Sequence, residues 1–171
     1  MPAGRQGFTL IEMVVAVAVF ILVITAASGL FVFSLKAQRQ SLAYQELLDQ
    51  SSYLMEYMSR AIRMAQKDIA GTCTGTAKIN YAFSGQCLKF INYKDQCQQF
   101  CLDNGRLKDE SGNYLTSDEL SVSSFNVNLS GQSQDDNLQP RVAFSMSITG
   151  QEEASIQLQT TISQRNLDIK K

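Results

Sequence analysis

The chain has 171 residues, 44% of them hydrophobic, and its 15 lysines and arginines nearly balance its 16 aspartates and glutamates, with no histidine. Near-neutral charge leaves no footprint of a general phosphate-binding surface, and the lack of histidine excludes Ser-His and Cys-His nucleophiles. No glycine-rich phosphate loop, H-E-x-x-H pair or nucleophile elbow occurs, so no enzyme activity, cofactor or metal is expected.

The first element follows a short polar stretch, residues 1–7. Between residues 13 and 33 the only polar side chains are Thr25 and Ser28, and after Glu12 no charge occurs before Lys36. A helix rising about 1.5 Å per residue over this length crosses the roughly 30 Å hydrocarbon core of a bilayer, so the segment reads as membrane-spanning. A removable secretory signal fits poorly. The apolar run is too long, Ala26-Ala27-Ser28 is a weak cleavage site, and the helical pattern continues into Lys36-Ala37-Gln38-Arg39. Arg5 on one side faces Lys36 and Arg39 on the other, so positive charge does not decide the orientation. Glu12 is the one carboxylate in the apolar stretch. Charge there costs roughly 2.5–3.5 kcal/mol at mid-membrane and less near the interface, so Glu12 either snorkels or requires a partner.

Gly7-Phe8-Thr9-Leu10-Ile11-Glu12, continued by Met13-Val14-Val15-Ala16, resembles the signature of type IV pilins and pseudopilins, including the short hydrophilic leader. The resemblance implies cleavage between Gly7 and Phe8 by a membrane-embedded prepilin peptidase and N-methylation of Phe8. It also implies that the Glu12 carboxylate pairs with the terminal amine of an adjacent subunit, since two charges that are each costly in a low dielectric become less so together. Other pilin or pseudopilin subunits, an inner-membrane assembly platform and cytoplasmic membrane lipids are the implied partners. Gly29 stands where many pilins carry proline. Glycine costs a helix about 1 kcal/mol relative to alanine, which fits either a point of local unwinding or close helix packing.

Beyond the membrane segment the pattern becomes amphipathic. Tyr44, Leu47, Leu48, Leu54, Met55, Met58, Ala61, Ile62, Ala65 and Ile69 recur at helical spacing, with Arg39, Glu46, Asp49, Arg60, Arg63 and Lys67 between them. The helix is predicted to run from near Thr9 to about Ile69, with Gly71 as its stop. Met55, Met58 and Met64 read as core packing.

The rest reads as β structure. Residues 78–83 and 88–93 form short apolar-polar runs around Ser84-Gly85, and residues 98–102 and 106–108 flank Asp103-Asn104-Gly105, a tight-hairpin signal. Three longer strands alternate: residues 122–129 with Phe125, Val127 and Leu129 on one face, residues 141–149 with Val142, Phe144, Met146 and Ile148, and residues 155–163 with Ile156, Leu158, Thr160 and Ile162. One apolar face per strand calls for a cover on one side, which the amphipathic helix supplies. The expected fold is α+β, a long N-terminal helix packed on an antiparallel sheet. Its segments are a leader (1–7), the membrane and filament-core half of the helix (8–35), its amphipathic half (36–70) and a β-rich head (71–171).

Cys73, Cys87, Cys97 and Cys101 are an even set in the part expected outside the cytoplasm, and their spacing lacks the paired knuckles of a four-thiolate zinc site, so disulfides are expected. If Cys97 and Cys101 share a strand they lie roughly 13 Å apart and cannot bond. A hairpin turning near Lys94-Asp95 would place Cys87 opposite Cys101 and leave Cys73 for Cys97. A loop would instead allow Cys97–Cys101 and Cys73–Cys87. The pair Asp135 and Asp136 reads as a solvated loop, because the spacing of a calcium-binding loop is absent. Asp109, Glu110, Asp118 and Glu119 read as surface carboxylates.

The reading is a structural subunit, minor rather than major, of a type IV pilus-like or type II secretion filament, held in the inner membrane by a single pass before assembly. The head then lies in the periplasm or outside the cell. Leu115-Thr116-Ser117-Asp118 gives a faint similarity to minor subunits of the J/W kind. The alternatives are a major pilin, a DNA-binding minor pilin using Arg141, Arg165, Lys170 and Lys171, and a signal-anchored adhesive β protein.

Overall fold

The computed structural model describes residues 7–132 and 138–165. Residues 1–6 of the expected leader, the acidic pair Asp135 and Asp136, and the terminal Lys170 and Lys171 lie outside the described residues. The chain divides into two compact units, Met1–Ser41 and Leu42–Lys171.

Helix α1 spans Leu10–Arg63. Within the first unit every described side chain on it is exposed, and its most apolar stretch, with a mean hydropathy of 2.8, is long enough to cross a membrane. A helix that is apolar all round is stable only in lipid or among other helices. The Thr25 hydroxyl is satisfied locally, donating to the carbonyls of Ile21 and Leu22 at 2.9 Å each, as a hydroxyl in an apolar helix must be. Gly29 is helical, and its missing Cβ would meet nothing within 4 Å.

In the second unit, α1 buries Ala43, Leu47, Ser51, Leu54, Met58 and Ile62, a single seam spaced by fours and threes. Tyr44 and Leu48 are exposed, because each sits about 100° around the helix from its buried neighbour. The seam packs on two antiparallel sheets. The first runs in the order β1 (Tyr81–Ser84), β2 (Cys87–Ile91), β3 (Cys97–Asp103), β4 (Arg106–Lys108), and the second β5 (Ser121–Ser130), β6 (Arg141–Thr149), β7 (Ser155–Ser163). Asn104 and Gly105 join β3 to β4 with φ of 50° and 74°, the two positive angles that a tight hairpin demands. An edge-on ring contact joins the sheets, Phe83 of β1 meeting Phe125 of β5 at 5.9 Å, and within the second sheet Phe125 meets Phe144 of β6 in the same manner at 6.2 Å.

Strand β5 departs from simple alternation. Val122 pairs with Ile148 and Ser124 with Ser147, so Ser123 is an extra residue in a bulge. The bulge turns Val122 onto the same buried face as Phe125.

Helix α1 ends at Arg63, short of the predicted Ile69. The chain is captured there by β pairing: the Gln66 N–H donates to the Ile91 carbonyl and the Asp68 N–H to that of Ile79, both at 2.9 Å. Ile69 lies beyond this switch and is exposed. The carbonyls at the helix end find other donors. The Tyr81 hydroxyl serves Ile62, the Arg165 N–H serves Arg63 and the Gln164 side-chain amide serves Ala65, each at 2.8 Å. Burial pushes the Tyr81 hydroxyl far above the ordinary tyrosine range.

Asp68 then organises the following loop. Its Oδ1 accepts the N–H groups of Gly71 and Thr72 at 2.8 and 3.1 Å, and its Oδ2 those of Cys73 and Thr74 at 2.8 and 2.9 Å, with the Thr74 hydroxyl also at 2.9 Å. Burial opposes its charge, but the donors from Thr74, Cys73 and Gly71 outweigh it and hold the carboxyl at about 2. This loop carries Cys73 to Cys97, with a Cα separation of 5.3 Å. Cys87 and Cys101 face each other across β2 and β3, and they form the second disulfide with a Cα separation of 4.0 Å. Of the two pairings weighed from the sequence, this is the hairpin one.

Two predictions follow from these contacts. Asp68→Asn lowers unfolding free energy by about 2 kcal/mol at neutral pH. Because the folded carboxyl titrates below its ordinary value of 3.8, that difference is present above pH 3.8 and fades as pH falls toward 2. Denaturant titrations of both proteins at several pH values measure it, and a difference independent of pH would contradict it. Replacing Cys87 and Cys101 together by serine costs about 2–4 kcal/mol, read as a lower denaturation midpoint under non-reducing conditions.

Candidate functional site

The amino-terminal segment concentrates the unusual chemistry. Gly7 and Phe8 precede α1, outside the helix, with Phe8 79% exposed. The peptide bond between them therefore lies in open, non-helical backbone.

Thr9 and Glu12 close the helix start reciprocally. The Glu12 N–H donates to the Thr9 hydroxyl oxygen at 3.3 Å, and the Thr9 N–H donates to Glu12 Oε2 at 3.4 Å. This is a capping box, and the helix dipole favours an acid in that first turn. Reading Glu12 only as a membrane carboxylate misses it, although Thr-x-x-Glu immediately before an apolar run is its sequence signal. The box turns the carboxylate back along the helix toward the Phe8 end.

The other sequence candidates lie in the head. The four cysteines are paired as described, none of them free. Asp109 accepts the N–H groups of Ser111 and Asn113 at 2.9 and 2.8 Å and so shapes a turn. Asp118 forms an ion pair with Arg106, whose guanidinium also covers the Tyr114 ring at 3.9 Å. Glu119 lies beside Glu46 of α1, and the shared hydrogen bond and repulsion between the two carboxylates push its carboxyl up, with Asp118 adding to the effect. Arg141 and Arg165 are exposed at the same end of the second sheet, since Arg141 pairs with Ser163, two residues before Arg165. They are two of the four basic residues considered for DNA, and the other two lie outside the described residues.

Against known proteins, residues 2–28 match the family model described as the prokaryotic N-terminal methylation motif. No curated protein and no solved structure matches the chain. The match takes in the Gly7-Phe8 junction, Glu12 and most of the apolar stretch, and it supports a prepilin of the type IV pilin-like kind.

Thr9→Ala should loosen only the start of α1. Removing the cap costs roughly 1 kcal/mol, about a fivefold rise in amide hydrogen exchange at Glu12 and Met13 in detergent, with the melting of the head unchanged. Unaltered exchange at those amides would show that the capping box does not hold.

Proposed function

We propose that the protein is a structural subunit, and a minor one, of a type IV pilus-like or type II secretion filament. The observation that carries this reading is the amino terminus. An exposed Gly7-Phe8 bond and a Glu12 held in a capping box open a helix whose first half is apolar, within a segment that matches the methylation motif.

On this reading prepilin peptidase removes residues 1–7 and methylates the new terminus at Phe8. The single-pass chain waits in the cytoplasmic membrane with its head in the periplasm, and the assembly platform then transfers it into a growing filament. Lipid contacts around the helix are exchanged for contacts with the helices of other subunits, while Glu12 meets the Phe8 amine of a neighbour. That pairing gives the docking step a register, because a one-turn slip would leave both charges unpartnered in a low dielectric. The strand-rich head and the Leu115-Thr116-Ser117-Asp118 approach to β5 support minor status and a likeness to the J/W kind.

Mass spectrometry of the amino-terminal peptide, in sheared surface filaments and in residual membranes, tests the proposal. N-methyl-Phe8 at trace level relative to other pilins is the expected result for a minor subunit, and high abundance in filaments would make it a major pilin. Processed chain confined to membranes would assign it to a pseudopilus. An uncut Met1 terminus in cells with active prepilin peptidase would overturn the reading and leave a signal-anchored β protein. Glu12→Gln should leave cleavage intact and reduce incorporation into filaments at least tenfold.

A further inference from the structure

The outward face of the second sheet is a trough almost without charge. β6 lies between β5 and β7, and its outward side chains are small: Ala143, Ser145 and Ser147, each half-buried. The flanking strands set longer amides beside them. Asn126 and Gln159 stand on either side of Ser145, while Asn128 borders Ala143 and Gln157 borders Ser147. Short side chains between long ones leave a channel whose floor follows β6 for about 14 Å, between strands roughly 10 Å apart. A concavity of about 440 Å³ lies within it, with Ser124, Ser145, Ser147, Gln157 and Gln159 in its lining. The face is opposite the one that α1 covers in the second unit, so it is open in the folded head.

Composition limits what such a channel can hold. Of the residues that point outward from β5 beyond its bulge, from β6 and from β7, only Arg141, at one end, is charged, and only Ala143 is apolar. A nucleic acid would require a run of cations and a protein partner an apolar anchor, and the channel has neither. What it offers is hydroxyls and amides, which both donate and accept. Among the described residues, the side chains of Asn126, Asn128, Gln157 and Gln159 take no hydrogen bond from the rest of the chain, so that capacity is left for a ligand or for water.

This chemistry matches an uncharged sugar polymer. Its hydroxyls donate and accept in the same way, and a β-linked glucan is a straight, flat ribbon with hydroxyls along both edges. One edge then meets the wall of Asn126 and Asn128 and the other that of Gln157 and Gln159. Charge agrees, because an acidic polymer laid here would lose water from its carboxylates with no cation along the floor to replace it. We infer that the outward face of β5, β6 and β7 binds a straight, uncharged, β-linked glycan strand along β6. The channel holds no aromatic ring for a sugar to stack on. Recognition therefore rests on hydrogen bonds that each replace one to water, and a single head binds weakly.

An NMR titration of the full chain, in a detergent without a sugar headgroup and with cellohexaose as the probe, tests this. Saturable shifts confined to the side-chain amides of Asn126, Asn128, Gln157 and Gln159 and to the backbone of β6 are expected. The same β-linked hexamer built of glucuronate should give none. Ser145→Leu raises the floor and should weaken binding at least tenfold. Gln159→Ala removes one exposed wall amide and should weaken it about threefold with the melting temperature unchanged. No saturable shift, shifts centred elsewhere on the head, an equal response to the glucuronate hexamer, or undiminished binding by Gln159→Ala would each overturn the inference. The titration reads the head and needs no filament, so its failure is distinguishable from failure of processing at Phe8.

Discussion

The end of α1 is the constraint on which the head depends. A helix that stops against a core leaves carbonyls without intrahelical donors, and in a dry interior each must find one. Here the donors come from opposite parts of the chain: a tyrosine at the start of the first sheet, and the backbone and side chain of residues just after the last strand of the second. The same Gln164 side chain accepts from the Asn80 amide at 2.6 Å. One cluster of polar contacts thus ties the helix to both sheets, and the apolar seam of Leu47, Leu54, Met58 and Ile62 supplies the bulk of the burial around it. The hydrophobic part drives association of the layers, and the polar part fixes where the helix must end.

The two halves of α1 satisfy different solvents with one backbone geometry. From Met13 to Phe33 the surface is apolar nearly all round the helix, and polar groups are met within the helix itself, by the Thr9–Glu12 box and the Thr25 back-bonds. After Leu42 only one strip is apolar and polar side chains face outward, as along Glu56 and Arg60, whose exposed ion pair contributes little. The change of pattern needs no break in the helix, because backbone hydrogen bonding is internal in either medium.

Much of this was legible where local rules decide the outcome. Residues 141–149 and 155–163 are bounded as their alternation indicates, and Asn104-Gly105 makes the hairpin its chemistry requires. The cysteine pairing was legible only conditionally, since it hung on whether residues 87–101 form a hairpin or a loop. The helix end was not legible. Residues 64–69 keep a helical pattern, but Gln66 and Asp68 are claimed by Ile91 and Ile79, partners that no local window contains. The bulge at Ser123 was hidden in the same way, because one extra residue shifts phase without changing composition. At the amino terminus the bond between Thr9 and Glu12 has its own sequence signal, Thr-x-x-Glu before an apolar run, which a lone charge in an apolar stretch overshadows.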